Sequence, residues 1–486
     1  MKTCKLIIKD EVNVKIEGLE LSDRKALMKK YEFDVPGARF ITSVQLGRWN
    51  GKSTYFSMGG STYINLLDEI IPLLDQAGYN IEIDDIREYD KIKLAFNEVT
   101  ENTFADRTWP AGHPKEGEPV ILRDYQIKIV NDFLNNPQSI QEIATGAGKT
   151  LITAALSYSV EPYGRTIVIV PNKSLVVQTE ADYINLGLDV GVYFGERKEY
   201  GKTHTICTWQ SLDRMMKKTK DGEAEVTIGD FLEGVVCIMV DEVHMAKADV
   251  LKSMLTGIMS HIPIRWGLTG TVPKDRYENQ AIFVSLGNVI NKLSASELQD
   301  RGVLAQCHVK IIQMQDKAEF TTYQTELKHL LEDAKRLDTI AQKILEIKED
   351  GNTLVLVDRV NAGKELIARL PDSVFVSGGT SLTKRKEEYD EIATSAGKII
   401  IATYGVAAVG INLPRIFNLV LIEPGKSFVR VIQSIGRGIR KAEDKDFVQI
   451  YDITSTCKFA KRHLSQRRSF YREANYPFDT EKLTYK

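Results

Sequence analysis

The chain has 486 residues, too many for one ordinary domain and enough for about three. Its 64 Lys and Arg stand against 66 Asp and Glu for a net charge of −2, so a polyanionic partner has to be held by a local basic surface. An apolar fraction of 43% permits real cores, while apolar runs such as Val235 to Val240 are far too short to span a bilayer, so a soluble protein without a membrane partner is expected. The start, Met1-Lys2-Thr3-Cys4-Lys5, meets charge again at Lys9-Asp10, which does not make a secretory signal and points to a cytoplasmic location. Cys4, Cys207, Cys237, Cys307 and Cys457 have no C-x-x-C spacing and read as reduced and structural.

Residues 1–95 read as a small α+β domain in the order strand, strand, helix, strand, strand, helix, strand. Ser22 is placed to cap the first helix, Ser61 or Thr62 to open the second, and Asn50-Gly51 is the strongest hairpin signal. Arg39, Arg48, Trp49 and Lys52 fall at or near that tip, where a basic surface with an indole suits a duplex or an unpaired base; Trp49 equally suits a core anchor. Residues 96–120, dense in Pro and Gly after Arg107, read as a linker.

Beyond the linker, all-apolar strands alternate with helices, the pattern of parallel sheets covered on both faces. Thr166–Val170, Thr205–Cys207, Val235–Val240 and Trp266–Leu268 supply one set of strands. Thr353–Val357, Val374–Val376, Lys398–Ala402 and Asn418–Ile422 supply another. The expected architecture is α/β, with two tandem RecA-like doubly wound lobes at 121–291 and 292–455 and a basic helical tail at 456–486.

Between an apolar run and a helical stretch stands Ile143-Ala144-Thr145-Gly146-Ala147-Gly148-Lys149-Thr150. Glycines let backbone N–H groups cradle phosphates at a helix N-terminus, Lys149 neutralises phosphate oxygens, and the Thr150 hydroxyl suits Mg²⁺. Alone, such a loop also reads as a Gly-rich turn beside a surface lysine. Val240-Asp241-Glu242-Val243-His244 then puts two carboxylates at a strand's C-terminal end, Asp241 for Mg²⁺ and Glu242 as base toward an attacking water. His244 either couples this site to the second lobe or hydrogen-bonds locally. In Gln433-Ser-Ile-Gly-Arg437-Gly-Ile-Arg440 the residues Gln433, Arg437 and Arg440 share one helix face, and guanidinium groups there suit a γ-phosphate.

The ordered series from Leu122 to Arg440 resembles the superfamily-two helicases, and that resemblance implies a role for each motif. Arg123-Asp124-Tyr125-Gln126 is similar to the adenine-recognition motif, with Arg123 and Gln126 implied at the nucleotide beside Thr145, Gly146, Ala147, Gly148, Lys149 and Thr150. Pro171, Asn172 and Lys173, with Thr208 and Gln210, resemble strand-contact motifs that face backbone phosphates. Leu268-Thr-Gly-Thr271 resembles the motif coupling hydrolysis to movement. Thr403 is implied at phosphate and Gly410 beside the nucleotide, with Asn412, where the family commonly has Asp, at the ribose.

With the amino-terminal domain included, the full chain is similar to the branched-DNA helicases of T-even bacteriophages. That similarity implies ATP and Mg²⁺ as cofactors and a DNA helicase acting on forks, D-loops, R-loops and Holliday junctions in recombination, repair and replication. It also implies branched or duplex DNA and RNA–DNA hybrid as partners, single-strand-binding or recombination proteins as further ones, a monomer, and the infected bacterial host cell as location.

The tail from Lys458 to Arg472 carries six Lys or Arg and no acid, so Lys461, Arg462, Arg467 and Arg468 suit a phosphate track; a solvated helix packed through Phe459 and Phe470 is the alternative. Two further readings of the chain are an RNA unwinder or duplex translocase that separates no strands, and a nucleic-acid clamp with a degenerate site. The intact Lys149, Asp241, Glu242, Arg437 and Arg440 argue against the last.

Overall fold

The computed structural model describes residues 2–87, 93–111, 113, 115–245, 248–273, 275–406, 415–425 and 444–485. Packing divides the chain into one unit of Met1–Glu142 with Lys149–Lys292, and a second of Ile143–Gly148 with Leu293–Lys486.

The first unit holds two sheets. The amino-terminal one is four-stranded, in the order Ser61–Tyr63, Asn13–Glu17, Lys2–Ile8, Tyr79–Asp85. Alternation of apolar and polar residues gives Lys2–Ile8 one buried face, with Cys4 and Leu6 inside. The core does not close on itself: Tyr55 and Phe56 pack with Tyr277 and Val284 of the helix Arg276–Leu286 in the larger domain. Polar contacts follow the same seam. Asn13 Nδ2 donates to Thr256 O at 2.8 Å, Ser260 Oγ to Asp10 Oδ2 at 2.9 Å, and Asn65 Nδ2 to Phe283 O at 3.1 Å.

Three local expectations are corrected in this domain. Ser61 and Thr62 lie in a strand, and the helix opens at Leu67 after a short 3₁₀ turn, because Ser61 and Thr62 pair with Lys15 and Val14. Ser22 lies inside the helix Leu21–Lys30, whose N-cap is Glu20, so it caps nothing. Asn50-Gly51 does not join two strands directly; it ends a long excursion between Glu32–Asp34 and Lys52–Thr54 that contains the helix Thr42–Gln45. Asn50 Oδ1 accepts the Lys52 N–H at 3.1 Å, and Gly51 takes φ +75°, where an added Cβ would lie 3.1 Å from the Ala38 Cβ.

The larger sheet has the order Arg197–Lys198, Val190–Phe194, His204–Thr208, Arg165–Val170, Val235–Asp241, Ile264–Thr269, Gln138–Ile143, Asn288–Leu293. Its central pairs are parallel, with Thr208 opposite Val170 and Asp241 opposite Leu268. This register brings the ends of neighbouring strands to one edge, where open α/β sheets hold ligands.

The second unit contains a seven-stranded sheet in the order Ser373–Val376, Ile399–Thr403, Thr353–Val357, Asn418–Ile422, Phe447–Ser455, Gln306–Met314, Phe478–Leu483, paired in parallel throughout. The tail forms the helix Lys458–Glu473 and then a strand that pairs with Gln306–Met314, so its end belongs to the sheet. Beneath it, Arg467 binds Asp452 at 2.8 and 2.9 Å and Arg336 binds Glu423 at 2.6 Å. All five cysteines are buried and unpaired with one another, and among the described residues no helix is long and apolar enough to cross a membrane.

Candidate functional site

The loop 143–148 runs into the helix Lys149–Val160. Ala144 N donates to Leu293 O at 2.9 Å, and Gly146 and Gly148 adopt φ +93° and +82°, values open to glycine at low cost. A Cβ on Gly146 would meet Leu304 Cδ2 at 2.7 Å, so the loop has glycine there for space as well as for conformation. Thr145 is half-buried and Ala147 fully buried; Thr150 sits in the first helical turn, its carbonyl accepting the Thr153 hydroxyl.

At the end of Val235–Asp241, Glu242 takes the left-handed φ of +51°. For a residue other than glycine this conformation costs on the order of 1–3 kcal/mol and persists only where the surroundings hold it. Among the contacts that do so are Lys149 Nζ to Glu242 Oε1 at 2.6 Å and Gly270 N–H to Glu242 Oε2 at 3.3 Å. The Glu242 N–H in turn donates to Asp241 Oδ1 at 2.9 Å. The lysine and glutamate side chains are almost wholly buried, so their pairing is little screened.

His244 hydrogen-bonds locally, through Nδ1 to Thr269 Oγ1 at 2.6 Å. The Thr269 hydroxyl has one proton, and it goes to Thr271 O at 2.7 Å. Nδ1 therefore carries the hydrogen and donates, which fixes the state of that ring nitrogen. The link runs from the carboxylate motif to the Leu268–Thr271 segment, a connection that residue spacing did not reveal because 25 positions separate the partners.

Pro171, Asn172, Lys173, Thr208 and Gln210 come together on the same sheet edge. Asn172 caps the helix Lys173–Asn185 by accepting Leu175 N–H, and Thr208 caps Trp209–Asp221 by accepting Ser211 N–H. Gln210 Nε2 donates to Pro171 O at 3.4 Å, binding the two helix starts side by side. The arrangement offers two neighbouring positive helix ends with exposed Lys173 beside them, suited to successive phosphates. Gln126 is buried, its Oε1 accepting the Arg123 N–H at 3.0 Å, while Arg123 reaches Tyr125 OH at 2.9 Å.

In the second unit Thr403 ends the strand Ile399–Thr403. Gly410, Asn412, Gln433, Arg437 and Arg440 lie outside the described residues. In the tail, Lys461 and Arg462 are exposed, whereas Arg468 donates to Thr480 Oγ1 at 2.9 Å. Arg467 is corrected: it is fully buried and serves Asp452 and Gly425 O, since helical spacing turns it toward the sheet and not toward solvent. At the amino-terminal excursion Arg48 and Lys52 are exposed and Trp49 is half-buried, its Nε1 donating to Lys52 O at 2.8 Å, so the indole is not a core anchor.

The family described as type III restriction enzyme, res subunit, matches residues 119–274, and the helicase conserved C-terminal domain matches 335–442. The chain is 26% identical over 463 residues to the ATP-dependent DNA helicase UvsW of Enterobacteria phage T4, covering 90% of this chain and 88% of that one. It is 24% identical to the DNA 3'-5' helicase XPB of Kineococcus radiotolerans, covering 74% of this chain and 64% of that one. In fold it is similar to the ATP-dependent Type ISP restriction-modification enzyme LlaBIII bound to DNA, with TM-score 0.55, 15% identity, and coverage of 86% and 34%.

Proposed function

Because the chain is an ATP-hydrolysing DNA helicase of superfamily two, we propose that it remodels branched DNA, unwinding or branch-migrating forks, D-loops, R-loops and Holliday junctions in recombination, repair and replication. The observation that carries this reading is the amino-terminal domain packed into the first lobe through Tyr55, Phe56, Tyr277 and Val284, which puts an added surface on the body that holds the hydrolysis residues. Similarity to the phage helicase across 90% of the chain supports it.

Lys149 and the loop 143–148 are suited to hold the ATP phosphates, with Arg123 and Gln126 toward adenine and Thr150 and Asp241 toward Mg²⁺. As substrate, ATP would give its terminal phosphoryl group to water, leaving ADP and releasing the driving energy, and Mg²⁺ would neutralise the phosphate charge. Glu242 accepts a proton from the attacking water once Lys149 has turned to phosphate. The capped helix starts at Asn172 and Thr208, with Lys173 and Gln210, track the DNA backbone; Thr403, Lys461, Arg462 and Arg48 add phosphate contacts. Gly410, Asn412, Gln433, Arg437 and Arg440 keep their nucleotide roles on the family resemblance alone. RNA–DNA hybrid is a further substrate class, single-strand-binding proteins are partners, and the monomer acts in the infected bacterial cell.

The test compares ATPase stimulation and strand separation by the purified chain on a fork, a four-way junction, an R-loop, linear duplex and single-stranded RNA. Preferential, ATP-dependent remodelling of the branched substrates is expected. Stimulation by RNA alone, or translocation on duplex without any strand exchange, would overturn the reading.

A further inference from the structure

The loop 143–148 packs with a segment far from it in sequence. It joins the strand Gln138–Ile143 to the helix Lys149–Val160, yet by packing it belongs with Leu293–Lys486. Its contacts there include the hydrogen bond from Ala144 N–H to Leu293 O at 2.9 Å. They also include the Leu304 side chain, which covers the bare face of Gly146 so closely that a Cβ there would lie 2.7 Å from Leu304 Cδ2.

The strap that carries Leu304, between the strands Asn288–Leu293 and Gln306–Met314, is held at both ends. Ser294 Oγ caps the helix Ala295–Asp300 by accepting the Glu297 N–H at 3.2 Å, and the Glu297 carboxylate accepts the Ser294 N–H at 2.7 Å and its hydroxyl at 2.8 Å. The helix stops at Gly302, φ +67°, where the chain turns back and the Leu298 carbonyl accepts the N–H groups of Val303 at 2.8 Å and Leu304 at 3.1 Å. Gln299 Nε2 donates to Ala305 O at 2.8 Å. Leu298 and Leu304 are both buried, so the Leu304 side chain leaves Gly146 only by opening a void.

Such a buttress answers a weakness of the loop. Gly146 at φ +93° and Gly148 at φ +82° adopt conformations that glycine takes easily and also leaves easily. A loop free to wander has to be ordered when phosphate binds, and that entropy is subtracted from affinity. Leucine suits the task because it has neither donor nor acceptor, and so leaves the loop N–H groups to the phosphates.

We propose that Leu304 is a positioning residue for ATP hydrolysis: it holds Gly146 in the conformation that receives the phosphates, so that nucleotide does not have to order the loop. This rests on the reading of 143–148 and Lys149 as the phosphate site. Because Leu304 comes just before the strand Gln306–Met314, the same contact ties the state of the loop to the sheet of the second unit.

The test compares the full chain with Leu304→Ala and Leu304→Met by DNA-stimulated ATPase over a range of ATP, binding of a fluorescent ATP analogue, and thermal melting. In Leu304→Ala the KM for ATP and the analogue's Kd are expected to rise roughly 10-fold, as when about one loop in ten is competent, with kcat within about 2-fold because bound nucleotide orders the loop. Leu304→Met nearly conserves volume and should return both constants to within about 3-fold of the unaltered chain. A leucine that only fills the core would lower the melting temperature, and kcat with the folded fraction, while KM and Kd stay unchanged; that result overturns the proposal. If Leu304→Ala does not fold, Leu304→Val makes the same comparison, with a rise in KM of about 3-fold expected and an unchanged KM and Kd overturning it. Gly146→Ala probes the contact from the other side: its loss of affinity should be smaller in the Leu304→Ala background, where the added Cβ has room, and equal losses in the two backgrounds overturn the proposal. Lys149→Ala with unchanged affinity and turnover would show instead that the phosphate-site reading fails.

Discussion

Lys149 Nζ and Glu242 Oε1 lie 2.6 Å apart, so the cation proposed to meet phosphate and the carboxylate proposed to meet water neutralise each other. On the proposed roles, each is held away from its task by the other until phosphate competes for the lysine. Glu242→Gln should leave nucleotide binding within a few-fold and lower DNA-stimulated phosphate release by about 10²–10⁴-fold, the range for a lost general base. Release measured beside fluorescent-nucleotide binding separates the two effects; a variant with near-normal turnover excludes Glu242 as the base.

Thr269 takes the His244 Nδ1–H and gives its own proton to Thr271 O. Thr269→Val removes both bonds while keeping the volume, and leaving buried polar groups unpaired costs about 1–3 kcal/mol. The expected result is a lower melting temperature and a larger loss of strand separation than of ATP turnover. Equal losses would mean that the contact only stabilises.

Arg265 is fully buried, and burial lowers its pKa to about 10. Its guanidinium donates to the carbonyls of Leu255, Met259, Ile262 and Ser285, gathering the C-terminal ends of two helices, where positive charge is favoured. Arg265→Met strands these carbonyls and should destabilise the first unit by about 3–5 kcal/mol. Arg265→Lys should not rescue it, because one ammonium cannot span the four acceptors. Denaturant midpoints decide.

In the second unit Asp316, Glu423 and Asp452 share two buried guanidinium groups, Arg336 and Arg467. One negative charge is in excess, and burial raises the Glu423 pKa from 4.5 to about 7. The folded state therefore favours the protonated carboxyl. Its contribution to stability is fully present below about pH 4.5 and is lost as pH rises through about 7. Glu423→Gln should flatten the fall in stability across that window and equal or exceed the unaltered chain at pH 8, by on the order of 2 kcal/mol. Thermal unfolding at a series of pH values measures it; a variant destabilised at pH 8 would show that the ionised carboxylate is needed.

The tail separates two kinds of arginine. Arg467→Ala leaves Asp452 buried without its cation and should cost about 3–5 kcal/mol of stability. Lys461→Ala/Arg462→Ala should leave the melting temperature unchanged and reduce the salt dependence of DNA affinity by about 2 in slope. Titrations at several salt concentrations check this.

Elements were legible in the sequence where their causes are local. Thr353–Val357 and Asn418–Ile422 are strands at their expected bounds, because an unbroken apolar run has nowhere to go but a sheet covered on both faces. Lys149, Asp241 and Glu242 stand out because loop and strand-end chemistry is written in adjacent residues. Ser61 and Thr62 misled because a capping residue also suits a strand, and the decision came from pairing with Lys15 and Val14, far off in the chain. Phe478–Leu483 is apolar only at its two ends, with Asp479, Thr480, Glu481 and Lys482 between them and no strand alternation; its place is set by the neighbouring Gln306–Met314. Arg467 reads as one basic residue among six until its partner Asp452 is seen.

The seam at Tyr55, Phe56, Tyr277 and Val284 also sets the smallest piece of this chain that can be exchanged between proteins. A fragment begun after the Pro- and Gly-rich stretch would bare the apolar side of Arg276–Leu286 and tend to aggregate, and residues 1–95 alone would lack the floor of their core. The amino-terminal sheet and the first lobe therefore have to be inherited, transplanted or truncated together, whatever boundary the linker composition suggests.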